Sequence, residues 1–188
     1  MELSRRRRLD ARSLIALAHP LRIRLRDHLR REGPATATQL ARALGESSGA
    51  TSYHLRMLAR HGFVEPDPSL GKGRERWWRA ARDILEIHPS EFLEDDLARE
   101  ALRVVTDERQ RLSEQRMRKW LSDREQWGRR WRDAAEDSVF VARLTPDQAR
   151  TLADQLISIV EAASTREPEP GARSVEIQLN VFPTGTSE

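Results

Sequence analysis

Apolar residues recur at helical spacing from the start of the chain. Within LDARSLIALA (residues 9–18), Leu14, Ile15, Leu17 and Ala18 predict a first helix. His19-Pro20 then interrupts it, because the residue before a proline is pushed out of the α region. Leu21, Leu25 and Leu29, at i, i+4 and i+8, form the stripe of a second helix that Gly33-Pro34 stops. ATATQLARALG predicts a short third helix, with Thr38 as N-cap and Leu40, Ala41 and Leu44 inward. Gly45 then occupies the left-handed position past its end. ESSGATSYHLRMLARHG predicts a fourth helix, capped by Ser47 and stopped by Gly62.

Two short helices joined by a tight glycine-containing turn are a helix-turn-helix arrangement. The next stretch, FVEPDPSLGKGRERWWRA, starts apolar, passes a Pro/Gly/Ser-rich turn and resumes as an extended run, which predicts a hairpin or wing. Residues 91–136 read as helical with a break near Ser122-Asp123. Their apolar positions include Leu93, Leu97, Leu112, Trp120, Trp127 and Trp131. SVFVAR (138–143) predicts a strand, Thr145 and Pro146 open a helix reaching about residue 163, and SVEIQLNVF (174–182) predicts a second strand. The expected fold is mainly α with small β (α+β). It has an N-terminal winged helix-turn-helix over 9–82, a helical dimerisation region over 90–136 and a C-terminal β-α-β module over 137–183.

Composition narrows the function. The 188 residues are 38% hydrophobic and 34% charged, a low apolar share that suggests a core completed by pairing with a second copy. No run of 18 apolar residues exists, and the basic start MELSRRRRLD has no apolar segment behind it, so no membrane partner and a cytoplasmic location are expected. The chain has no cysteine, which excludes disulfides, thiolate metal sites and Cys nucleophiles. Its five histidines are scattered, so neither a metal nor a cofactor is expected. The net charge of +3 conceals an asymmetry. Residues 1–82 hold 18 Lys and Arg against 8 Asp and Glu, a net of +10, whereas residues 83–188 hold 15 against 22, a net of −7. A nucleic-acid-binding module joined to a separate partner module fits that reversal.

The fourth helix carries the DNA-reading pattern. At 100° per residue, Thr51, Leu55 and Leu58 share one side, while Gly49, Ser52, Tyr53, Arg56 and Arg60 lie opposite. Small residues near the helix start permit close approach to base edges, and Arg56 one turn on can bridge guanine O6 and N7. Ser48 and Ser52 reach phosphate or base edges, and free N–H groups at the start, beside Ser47, favour phosphate. Lys72, Arg74 and Arg76 at the hairpin tip supply a second grip on the backbone or minor groove.

The run LAHPLRIRLRDHL, then TQLARALG, SSGATSYHLRMLARHGFVE and GKGRERWWRA, resembles the ArsR/SmtB group of winged-helix regulators. The likeness covers about residues 10–82. It rests on His19-Pro20-x-Arg22, the Leu-Ala-x-x-Leu-Gly ending at Gly45, Ser-x-His-Leu-x-x-Leu at Ser52–Leu58, and Gly62-Phe63-Val64. The resemblance implies a homodimeric repressor that sets two recognition helices in successive major grooves of double-stranded DNA at an inverted-repeat operator. By matching positions Ser48, Gly49, Ser52, Tyr53, His54 and Arg56 face DNA. Two departures stand out: Glu46 occupies a turn position that is usually apolar, and the founding members' metal-sensing cysteine pairs are absent.

The acidic half offers no glycine-rich phosphate loop and no nucleophile elbow, so no enzyme is expected. Trp120, Trp127 and Trp131 are either a dimer core or the wall of a pocket for an apolar or cationic small-molecule effector. The competing reading of the whole chain is a winged-helix protein-interaction module without DNA binding. The basic outer face of helix 47–61, with the wing 66–76, favours DNA over it.

Overall fold

The computed structural model describes residues 6–70 and 75–185. The chain divides into two compact units, the first ending at Glu114 and the second running from Gln115. The fold is mainly α with small β, as the sequence predicts.

In the first unit, β1 (Arg6–Arg8) leads into α1 (Ala11–Leu17), whose N-cap Asp10 accepts the Ser13 amide at 2.8 Å. Leu14, Ala16 and Leu17 turn inward, and Ile15 points away with 40% of its surface exposed. His19 breaks the chain as expected. It is extended (φ −150°, ψ 128°), and its Nδ1 accepts the Leu21 amide at 3.1 Å to cap α2 (Pro20–Glu32). Next come β2 (Ala35–Thr36), α3 (Ala37–Leu44) and α4 (Ser48–Arg60).

The cap of α3 is Thr36 rather than Thr38. Starting two residues earlier forms a reciprocal box in which Thr36 Oγ1 accepts the Gln39 amide at 3.3 Å and Gln39 Oε1 accepts the Thr36 amide at 2.8 Å. That start also leaves Ala35 and Thr36 free to pair with β4 (Trp77–Ala80), the centre of an antiparallel sheet ordered β2-β4-β3. Strand β3 (Val64–Pro66) sets Val64 opposite Ala80 and Pro66 opposite Trp78, so the expected hairpin is present. Strand β5 (Ile84–Glu86) pairs in parallel with β1, a pairing that the arginine run did not suggest.

The core joins all four N-terminal helices. Leu14, Leu25, Leu40, Leu55, Leu58 and Phe63 are fully buried, with Trp78 beneath the sheet. Buried Arg26 ties α2 to the turn before β5 by donating to the Asp83 carbonyl at 3.1 Å, and burial pulls its pKa down to about 9. The same cluster takes in Phe92 and, from the start of α5 (Asp96–Asp123), Ala98, Ala101 and Val105. The N-terminal unit therefore continues past residue 82, because this core needs a face of α5 that the sequence assigned to dimerisation.

In the second unit α5 ends at Asp123, where the break was expected, and one 3-10 turn leads to α6 (Arg129–Ala134). Thr145 caps α7 (Pro146–Ser164) through a second reciprocal box with Gln148. The β-α-β expectation is corrected here: residues 138–143 and 174–182 form no strand. A strand requires a ladder neighbour, and neither segment belongs to a sheet among the described residues; Glu176 is instead held by Arg116 of α5 at 2.6 Å. No described residue from 115 onward is buried. Among the described residues no helix is long and apolar enough to cross a membrane.

Candidate nucleic-acid interface

The turn between α3 and α4 is built for sharpness. Gly45 adopts the left-handed conformation (φ 68°, ψ 34°) and, like Glu46, returns its amide to the Ala41 carbonyl. Ser47 then caps α4 by accepting the Ala50 amide at 3.1 Å. Glu46, the residue out of place in the family pattern, is held by Arg24 of α2 at 3.4 Å. The same guanidinium donates to the Leu44 carbonyl at 2.7 Å, so α2 braces the turn from behind.

Helix α4 divides as its periodicity predicts. Thr51, Leu55 and Leu58 are 0% exposed, while Ser47, Ser48, Gly49, Tyr53, Arg56 and Arg60 face outward and Ser52 is half-buried. Arg56 makes no hydrogen bond or ion pair among the described residues, and Arg60 donates to Met57 Sδ at 3.7 Å. Around Gly49 the space is open: a Cβ there would meet no atom within 4 Å. Among the described residues nothing requires a glycine at that position.

His54 sits at the edge of this face, tilted by 40° against His19 with ring centroids 4.3 Å apart and with Tyr53 edge-on to it at 5.2 Å. Burial pulls the pKa of both histidines below the ordinary 6.5; Arg22 deepens the shift on each, and Glu46 opposes it. His54 Nδ1, Arg22 Nε and Thr51 Oγ1 are buried without a hydrogen-bond partner among the described residues. His54 is thus as much a packing residue joining α4 to α2 as an outward one.

On the wing, Arg76 is exposed, with its guanidinium 5.5 Å from the Trp78 ring centroid. Arg79 bridges to Glu65 across the hairpin at 2.8 Å. Lys72 and Arg74 lie outside the described residues. In the second unit Trp120, Trp127 and Trp131 are half-buried and form a chain of rings, at 5.9 Å and then 6.3 Å. Arg173 lies over Trp127 at 5.5 Å.

Sequence reasoning missed Arg7. From β1 its guanidinium donates to the His61 carbonyl at 2.7 Å and the Gly62 carbonyl at 3.1 Å, and it lies 5.0 Å over the Phe63 ring. These are carbonyls at the C-terminal end of α4, where a cation is favoured. Four successive arginines gave no periodicity by which to single out one of them.

Residues 17–67 match the family model of a helix-turn-helix domain, which spans α2, α3 and α4. The match supports a DNA-binding regulator. No curated protein matches the chain. Among solved structures the chain is similar to that of RV1404 from Mycobacterium tuberculosis. The two are 16% identical over 85% of this chain and 84% of that one, with a TM-score of 0.34, a likeness too slight to bear on function.

Proposed function

We propose that the chain is a homodimeric, sequence-specific transcription repressor of ArsR-like type. Helix 47–61 reads the major groove of double-stranded DNA, and the wing 66–76 grips the backbone or minor groove. One observation carries this reading: α4 buries one side completely and turns an open, cationic side outward, where, among the described residues, Arg56 makes no hydrogen bond or ion pair and nothing crowds Gly49. A duplex is the partner that rewards such a face, because its base edges accept a guanidinium and its phosphates accept free amides. A two-fold dimer would present the same helix twice, so the operator is an inverted repeat with half-site centres about one helical turn apart.

Genomic footprinting of the tagged protein supplies the operator, and fluorescence anisotropy then measures affinity. Arg56→Ala is expected to cost about 1–3 kcal/mol on that operator and little on random duplex. An equal loss on both would move Arg56 to a phosphate. No binding to any duplex would return the chain to the class of protein-interaction modules.

A further inference from the structure

A buried charge in the N-terminal unit has no counter-charge bonded to it. Arg26 of α2 is 8% exposed, and among the described residues its one hydrogen bond goes to a neutral group, the Asp83 carbonyl at 3.1 Å. Its Nε has no partner among those residues. An arginine buried to this extent ordinarily meets a carboxylate or a phosphate, because stripping water from a guanidinium costs more than one neutral carbonyl returns. The neighbouring charges enlarge the deficit. Arg30 and Arg109 each oppose the charge on Arg26 more strongly than Asp83 supports it, and Arg7 adds to the opposition. Arg30, one turn further along α2, also opposes Arg109 of α5 more strongly than Asp27 favours it. Two other carboxylates nearby are engaged: Asp83 lies 3.8 Å from Arg7, and buried Glu108, next to Arg109 in the chain, is held by Arg111. Arg30 and Arg109 are exposed and make no hydrogen bond or ion pair among the described residues. Two of the three guanidiniums thus meet solvent while the third is buried.

We infer that Arg26, Arg30 and Arg109 form a binding site for a small oxyanion, a phosphate or a carboxylate, taken up one per chain between α2 and α5. A guanidinium fork matches the paired oxygens of either group, and one such ion supplies the counter-charge that all three cations lack. A buried polar atom without a partner, such as Arg26 Nε, is what an ion-binding position leaves in the protein alone. A small ion fits better than the phosphate of a duplex, because Arg26 is too deeply buried for a DNA backbone to reach. The site needs neither DNA nor a second copy.

Thermal unfolding of the full-length chain tests the site, in a buffer free of phosphate and carboxylate. Sodium phosphate and sodium malonate are each titrated against sodium chloride at matched ionic strength. At least one of them is expected to raise the melting midpoint over chloride by about 2 °C or more, and to saturate, as a ligand of the folded state does. Isothermal titration calorimetry should then give one site per chain, and the anion that acts identifies which oxyanion is recognised. Arg30→Gln and Arg109→Gln, at exposed positions outside the core, should each weaken that binding at least about tenfold. Arg42→Gln, the loss of an exposed arginine on α3, should leave it unchanged. Equal shifts in chloride and oxyanion overturn the site, because screening alone gives them. A shift that survives both cluster variants overturns it as well. So does the lack of any response to either anion; if Arg109→Gln then weakens duplex binding, the cluster serves DNA instead.

Discussion

At the scale of single residues, Gly49 separates folding from recognition. A glycine inside a helix costs up to about 1 kcal/mol relative to alanine, and here no neighbour would resist a Cβ. Gly49→Ala is therefore expected to raise the urea midpoint while weakening operator binding. Unchanged binding would show that nothing approaches the start of α4 closely. His19 and His54 make a second prediction at this scale. Both have pKa values depressed in the fold, by burial first, so the unfolded chain takes up protons before the folded one. Their contribution is intact above the ordinary value of 6.5 and is lost as pH falls below it toward the lowered folded values. The melting temperature should decline between pH 7.5 and 5.5, and less steeply in His54→Asn; parallel profiles would remove the pair from the account. His61, also depressed by burial, adds in the same direction.

At the scale of elements, the helices were legible because periodicity and punctuation agreed. His19-Pro20, Gly45, Ser47, Gly62 and Thr145-Pro146 each sit where the chain turns or a helix is capped. The misassigned cap of α3 came from two threonines competing two residues apart; a glutamine three places after Thr36 decided it. The pairing of β1 with β5 was hidden because an unbroken arginine run has no alternation to read. The outer face of α4 was legible from angle alone, whereas the ring contact of His54 with His19 depends on how two helices cross. The wing belongs to this scale too. Arg76 is exposed, with its guanidinium 5.5 Å over the Trp78 ring, and its charge is open to a phosphate. Arg76→Ala should make the log–log dependence of affinity on salt shallower by about one. An unchanged slope would mean that this part of the wing stays off DNA.

For the whole molecule, the position of the unit boundary changes what a truncation would report. A fragment ending near residue 88 would lose Phe92, Ala98, Ala101 and Val105, all buried in the N-terminal core. Removing that many buried groups costs an amount comparable with the whole stability of a small domain. That fragment should show no cooperative thermal transition, whereas residues 1–114 should melt cooperatively. The longer fragment is expected to be monomeric and to bind the operator far more weakly than the full chain, because two linked half-site contacts become two separate events. If analytical ultracentrifugation finds residues 1–114 dimerising as tightly as the full chain, the interface lies in the N-terminal unit. Trp120, Trp127 and Trp131 would then be free to hold an effector.

The engagement of the N-terminal arginines alters how the basic half should be counted. Arg6 pairs with Glu86, Arg8 with Glu91, and Arg7 donates both its hydrogen bonds to carbonyls at the end of α4. These cations are internal rivets, not a tail that trawls for phosphates. The surplus of +10 in residues 1–82 thus overstates the charge a duplex would meet. Counter-ion release on binding should track Arg56, Arg60 and the wing, and fall well short of the formal tally of arginines.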